Sequence, residues 1–263
     1  MLPGLGFLAA AAAAGPWNIT VVSERPRIVV VDGFLEYAEA ARLVAAGWAG
    51  QGGGGQTGVV TAAGDIRTLR GTATSQISRP PAAEPAIADL AARIRTLLPI
   101  PERRCEPFHM LRYGPGDFFR AHLDAHALRG RPTSSRVATC LVYLSDVVAG
   151  GETWFPAAVP AGPAPDPPPG GCAGLDRKDR AVQGKDANRY YDGTEFEDGN
   201  PTGGATGVVV RPRAGRAVLW WNKTPDGKVD LRARHVGCPV EIGEKWAATR
   251  WMHDRDLGRE TRV

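Results

Sequence analysis

His122 and Asp124 are separated by a single residue. On an extended strand, positions i and i+2 face the same side, so this imidazole and this carboxylate project together. A lone His-x-Asp is weak evidence, and its plain alternative is a surface histidine beside a charge. The pattern sharpens at His235, which opens a later β-branched run and offers a third ligand. Two histidines and one carboxylate on one face of a metal leave three positions open, for a chelating co-substrate and for dioxygen. That arrangement is diagnostic of non-haem iron(II) oxygenases. Zinc is the rival metal, since it accepts the same side chains. His126 is discounted, because it lies past the strand in a polar turn region. Lys245 follows beyond the turn at Gly243, at about the spacing that returns a strand beside its neighbour. A buried ammonium needs a charge partner, and the far carboxylate of a dicarboxylate co-substrate would supply one. The alternative is a surface lysine whose stem packs on Trp246.

These side chains need strands to aim them. The expected strands are Ile28–Val31, Phe108–Tyr113, Phe118–Leu123, Val137–Leu144, Val208–Val210, Ala217–Trp221, Val236–Ile242 and Trp246–Met252. They are short and bounded by Gly and Pro turns. Two helices precede most of them. The first is expected over Phe34–Gly47, with Asp32 as its N-cap and a stripe of Tyr37, Ala41, Val44 and Trp48. The second starts near Pro85, buries Ile87, Leu90, Ile94 and Leu97, and ends at Pro99. Many short strands after two helices predict a mainly β fold, a sandwich or barrel with flanking helices. The segment from Gly52 to Gln76 is Gly- and Thr-rich and is the candidate for a loop that closes over a bound peptide.

The formal net charge is +4, with basic residues scattered rather than massed. That argues against nucleic acid as a partner. Four cysteines allow three disulfide pairings and form no CxxC motif. Cys140 reads as a buried free thiol in mid-strand. Residues 1–22 are expected to be a tail or the remnant of a signal, since their apolar run is too short to span a bilayer. A membrane link is expected only through an anchor preceding Met1. Residues 23–263 are expected to be one domain, interrupted by a Pro- and Gly-rich surface insertion at 157–207. Asn18-Ile19-Thr20 and Asn222-Lys223-Thr224 are glycosylation sequons.

Three stretches carry a family resemblance: EPFHMLRYGPGDFFRAHLD from Glu106, RVATCLVYLSDVVAGGETWFP from Arg136, and the run from Val209 to His253 with HVGCPVEIGEKW at its centre. The chain resembles the prolyl 4-hydroxylases, most closely of the plant and green-algal type. The likeness covers everything except the N-terminal tail and the insertion.

The resemblance implies a double-stranded β-helix, the jelly-roll or cupin-like core. It implies iron(II) on His122, Asp124 and His235. Lys245, Tyr113 and Thr153 match the positions that hold 2-oxoglutarate, and Arg136, Trp251, His253 and Glu106 match residues near the peptide-binding mouth. It further implies dioxygen as co-substrate, ascorbate as reductant, a Pro-rich peptide or protein as substrate, and the endoplasmic reticulum or Golgi as location. Phe119 is a departure, since the family commonly has tyrosine there. Two other readings stand beside this one: a 2-oxoglutarate oxygenase with another target, and a silent module that binds Pro-rich peptides.

Overall fold

The computed structural model describes residues 17–48, 75–125, 135–162, 172 and 207–258, with strand fragments at 56–57, 59–60 and 66–67. In chain order the elements are β1 (Asn18–Arg25), β2 (Arg27–Asp32), α1 (Tyr37–Trp48), β3 (Gln56–Thr57), β4 (Val59–Val60), β5 (Ile66–Arg67), β6 (Gln76–Ser78) and α2 (Pro85–Leu97). Then follow β7 (His109–Tyr113), β8 (Phe119–His122), β9 (Arg136–Tyr143), β10 (Ala149–Gly150), β11 (Thr153–Phe155) and β12 (Val159–Pro160). The last are β13 (Val208–Val210), β14 (Ala217–Trp221), β15 (His235–Gly237), β16 (Val240–Ile242) and β17 (Lys245–His253).

A nine-stranded sheet in the order β12-β1-β2-β14-β9-β17-β7-β6-β3 faces a four-stranded sheet, β13-β11-β15-β8. Every pairing among the described strands of both sheets is antiparallel. This is the expected mainly β architecture with flanking helices. The large sheet is covered on both faces, and the strands record it in period two. Val29, Val31, Leu219, Trp221, Cys140 and Val142 pack toward the helices with Phe34, Leu43, Ile87, Leu90 and Ile94. The alternate residues Ile28, Val30, Val218, Trp220, Leu141 and Tyr143 pack toward the small sheet with Phe155, Val208 and Val210. Every residue of β9 is therefore buried. Truncating one of these central side chains, such as Leu219→Ala, costs roughly 2–5 kcal/mol.

Several expectations shift here. Residues 18–22, assigned to the tail, belong to β1, which pairs with β2 along most of its length. Asp32 ends β2 and its carboxylate accepts from Arg216 Nε at 2.7 Å, so it caps no helix. Helix α1 is rotated from the expected stripe. Ala40 and Leu43 are buried, whereas Tyr37 is 71 % exposed. Small residues win that face because α1 lies close on the sheet: a Cβ at Gly47 would come within 2.7 Å of Met110 Cγ. The expected apolar face of α2 is buried as read. The run from Val236 to Ile242 splits at Cys238-Pro239 into β15 and β16, as a proline that cannot donate to a ladder requires.

The start of the insertion is ordered: Val159 and Pro160 pair with β1. Cys172 forms a disulfide with Cys238, and Cys105 and Cys140 are buried free thiols. Most of the insertion, His126 and most of the proposed closing loop lie outside the described residues. Among the described residues no helix is long and apolar enough to cross a membrane.

Candidate active site

The site lies between the two sheets. His122 ends β8 and His235 begins β15, and the ladder between these strands sets the two residues directly opposite each other. Asp124 follows in the bend after β8. One ligand atom from each of the three comes within 4.8 Å of the others. Both imidazoles are oriented from behind. His122 Nδ1 lies 2.8 Å from the Arg120 carbonyl, and His235 Nδ1 lies 3.0 Å from the Ala233 carbonyl. Each Nδ1–H donates to its carbonyl, so each Nε2 lone pair is free to face inward. The Nε2 atoms stand 3.8 and 4.0 Å from the Asp124 oxygens. Burial, with the charge of His235, pushes His122 down to about 3. Burial works to raise the Asp124 carboxyl, but the two histidines and the Thr139 hydroxyl outweigh it and hold it below its ordinary range. Two imidazoles and one carboxylate converging on one point are the donor set that a divalent metal requires.

Lys245 sits at one end of the site, on the interior face of the large sheet with Tyr113 and Tyr143. It is therefore not on a strand next to His235, as the spacing suggested; it faces the small sheet from across the core. The residue is 3 % exposed. Its stem runs past Gly151, where a Cβ would stand in ordinary contact at 3.5 Å from Lys245 Cδ, so it is the φ of +74° that calls for glycine there. The ammonium lies 5.1 Å from the centre of the Tyr113 ring and 5.5 Å from that of Tyr143. Burial pushes its pKa down to about 8, opposed by the charge of Glu152. Tyr113 stands opposite Lys245 in the β7–β17 ladder. Thr153 joins this end indirectly: its Oγ1 accepts from the Tyr143 hydroxyl at 2.7 Å. Lys245, Tyr113 and Thr153 are thus brought to one end, with Tyr143 linking them.

The four residues assigned to the peptide mouth also form one cluster. Arg136 donates to both oxygens of Glu106, at 2.6 and 2.9 Å. His253 Nε2 reaches the same carboxylate at 2.7 Å, and Ser135 Oγ lies 2.6 Å from His253 Nδ1. The Arg136 guanidinium lies 4.1 Å over the Trp251 ring. All four are buried, so His253 is not the solvated strand end that its position allowed. Burial works to raise Glu106, but His253 and Arg136 pull it down to about 2. Arg136 Nη1 also lies 3.5 Å from the Asp124 carbonyl, which places this cluster beside the His122–Asp124–His235 triad.

Four further residues belong to the site. Thr139 and Asn222 stand behind Asp124. His109 packs edge-on against Trp251 and accepts from Arg79 Nε at 3.1 Å; burial, then the Arg79 charge, lowers it to about 3. Tyr143 is the fourth. Strand parity carries a signal for two of them, since Thr139 and Tyr143 share a face two steps on either side of Leu141. The same geometry removes one sequon, because Asn222 is 1 % exposed in the folded chain and its side-chain nitrogen is engaged. Phe119 lies parallel to the His122 ring, centroids 3.8 Å apart.

A jelly-roll interior that carries an open His–Asp–His triad, with a buried lysine that has no ion pair among the described residues, defines the class of metal-dependent oxygenases that take an oxo acid. The comparisons agree. Residues 108–253 match the model of the 2OG-Fe(II) oxygenase superfamily. The chain is 32% identical over 243 residues to prolyl 4-hydroxylase 1 of Arabidopsis thaliana, an alignment spanning 89% of this chain and 71% of that protein. It therefore belongs to the prolyl 4-hydroxylase family within that superfamily. A viral collagen prolyl hydroxylase from Paramecium bursaria Chlorella virus 1, solved with 2OG, shares the fold at a TM-score of 0.55 and 20% identity, over 85% of this chain and 94% of that one. A prolyl hydroxylase from Trichoplax adhaerens, solved with a hypoxia inducible factor peptide, shares it at a TM-score of 0.51 and 16% identity, over 86% and 83%.

Proposed function

We propose that this chain hydroxylates C4 of proline in Pro-rich peptides or proteins, consuming dioxygen and 2-oxoglutarate. His122, Asp124 and His235 would hold iron(II), and Lys245 would meet the distal carboxylate of 2-oxoglutarate. The observation that carries this reading is the pairing of an open triad with a buried ammonium that has no ion pair among the described residues. A structural zinc site would close its fourth position with protein and would have no use for Lys245.

When bound, iron(II) supplies the oxidising chemistry: one oxygen atom enters the proline C–H bond and the other leaves in succinate, with carbon dioxide released. The chain's own residues do the rest. The Arg120 and Ala233 carbonyls fix the tautomers of the two histidines. Tyr113 and Tyr143 line the pocket around the ammonium and keep water from it, which strengthens the ion pair a dicarboxylate would make. Trp251 offers a flat apolar surface near the metal, stiffened by Arg136. An extended proline segment docks on such aromatic walls at low entropic cost. Ascorbate is proposed as the reductant, and the secretory pathway, in the endoplasmic reticulum or Golgi, as the location. The disulfide from Cys172 to Cys238 supports that location, since disulfides persist in oxidising compartments.

The test is mass spectrometry of Ser-Pro repeats, polyproline and Pro-Pro-Gly repeats incubated with protein, iron(II), 2-oxoglutarate and ascorbate. One added oxygen on proline, absent with His122→Ala, is expected. Iron and 2-oxoglutarate bound without any gain on proline would overturn the substrate and leave an oxygenase of another target. Failure to bind 2-oxoglutarate would overturn the enzyme reading altogether.

A further inference from the structure

Asp124 is the metal ligand that no strand holds. His122 and His235 are fixed by the β8–β15 ladder, whereas Asp124 lies beyond the end of β8. Its carboxylate is anchored from the opposite sheet. Thr139 Oγ1 donates to Asp124 Oδ2 at 2.6 Å, and Asn222 Nδ2 donates to Thr139 Oγ1 at 2.9 Å. The direction of this chain is forced. An amide NH₂ can only donate, so the Thr139 oxygen must accept, and its single proton is left for Asp124.

The large sheet sets the two anchors rigidly. Thr139 is in β9, directly opposite Trp220 of β14. Asn222 follows β14 and extends its ladder, since its N–H donates to the Val137 carbonyl at 2.8 Å. Thr139 and Asn222 are each 1 % exposed. Among the described residues the buried Asn222 Oδ1 atom has no hydrogen-bond partner, a cost that an apolar residue of the same size would avoid. An amide kept there despite that cost points to a use for its NH₂ group.

We propose that Asn222 and Thr139 form a positioning relay that makes Asp124 a one-oxygen metal ligand. The two carboxylate oxygens stand at similar distances from the histidines, Oδ1 3.8 Å from His122 Nε2 and Oδ2 4.0 Å from His235 Nε2, and it is the Thr139 hydrogen bond that occupies Oδ2 and leaves Oδ1 to take the metal. Without the relay the carboxylate is free to bind through both oxygens and to fill a position that a chelating oxo acid or dioxygen needs. Neither Thr139 nor Asn222 touches the reacting atoms; both act through Asp124. The proposal rests on the metal assignment of the preceding section.

The test is metal binding without turnover. Zinc and cobalt(II) are titrated by calorimetry into metal-free full-length protein, and the cobalt absorption spectrum is recorded. Wild type is expected to bind one ion and His235→Ala none; a wild type that binds no ion overturns the metal reading and the relay with it. Thr139→Val keeps the volume and loses the hydroxyl, and its affinity is expected to fall about tenfold to a hundredfold. Its cobalt spectrum changes as the carboxylate turns. Thr139→Ser loses a methyl and keeps the hydroxyl, and it is expected to match wild type in both readouts. A packing role predicts the reverse order. Asn222→Ala gives a smaller loss, because Thr139 can still donate. If circular dichroism shows Thr139→Val unfolded, the loss in Asn222→Ala carries the test. Intact wild-type binding in Thr139→Val, or an equal loss in Thr139→Ser, overturns the relay while leaving the metal site standing.

Discussion

The two ends of the site hold their cations in opposite states of completion. Arg136 and Lys245 are equally buried, at 6 % and 3 % exposed, so burial does not separate them. Partners do. Arg136 meets both oxygens of Glu106 and lies over Trp251. Lys245 meets two aromatic rings and the more distant influence of Glu152. The consequence appears in the titration of each end. The complete network pulls Glu106 down to about 2, whereas the incomplete one lets burial push Lys245 down to about 8. A satisfied buried pair is a wall; an unsatisfied buried ammonium is a receptor for an anion. The difference fits the proposed reading, in which Lys245 receives the co-substrate and the Glu106–Arg136 pair stiffens the wall beside the triad.

The sharpest break of this comparison is to remove each cation in turn. Arg136→Met strands the Glu106 carboxylate and is expected to cost roughly 3–5 kcal/mol of stability, read as a melting temperature lower by about 10 °C or more. Lys245→Met removes a buried charge that lacks its counter-ion, so the unliganded protein should melt no lower than wild type. Its loss appears instead in calorimetry, as 2-oxoglutarate affinity weaker by about 2–5 kcal/mol, thirtyfold or more. If Lys245→Met destabilised the free protein as much as Arg136→Met, the two ends would be alike and the assignment would fail.

Much of this was legible in the sequence, for reasons that can be named. His122 and Asp124 are two residues apart, so local spacing carries them, whereas the spacing of His235 and Lys245 suggests adjacent strands and the structure sets β16 between β15 and β17. Strand parity puts Thr139 on the interior face, but its meeting with Asn222 and Asp124 depends on the β9–β14 register and on where the chain goes after β8, which spacing does not carry. Tyr143 was missed for a similar reason, since its partner Thr153 lies across the sheets. The α1 stripe failed because large apolar residues were weighed above Ala40 and Gly47, yet small residues allow close approach to Met110. Strand β1 was missed because part of its support, Val159 and Pro160, comes from a segment that read as insertion.

Acidity sharpens the comparison next. The depressed Glu106 contributes stability in full above about pH 4.5 and loses it as pH falls toward 2. His109, held neutral down to about 3, is free to protonate in the unfolded chain near its ordinary value of 6.5. Its burial therefore begins to cost stability as pH falls below about 6.5. The scaffolding end should be acid-labile in two stages, seen as melting temperature against pH, and His109→Gln should flatten the upper stage. The binding end responds at the other extreme. Above about pH 8 the free Lys245 loses its proton, so 2-oxoglutarate affinity should weaken up to about tenfold per unit. A flat affinity profile from pH 7 to 9.5 would remove Lys245 as the anion's partner.

The smallest expected effect tests the ring between the two ends. Phe119 stacks on His122 with an interplanar angle of 18°, so its face lies against the imidazole. Phe119→Tyr adds one hydroxyl to a ring already in place and leaves the stack intact. Neither cation is touched, so melting temperature and 2-oxoglutarate affinity should stay at wild-type values. A single added hydrogen bond contributes about 0.5–1.5 kcal/mol. If the phenol meets the peptide, kcat/KM for proline peptides should rise about twofold to tenfold, and less 2-oxoglutarate should be decarboxylated without peptide hydroxylation. The ratio of succinate formed to hydroxyproline formed measures this directly. A ratio unchanged by the hydroxyl would mean that the phenyl ring acts by packing His122 alone. The peptide's orientation would then rest wholly on the completed Glu106–Arg136 end.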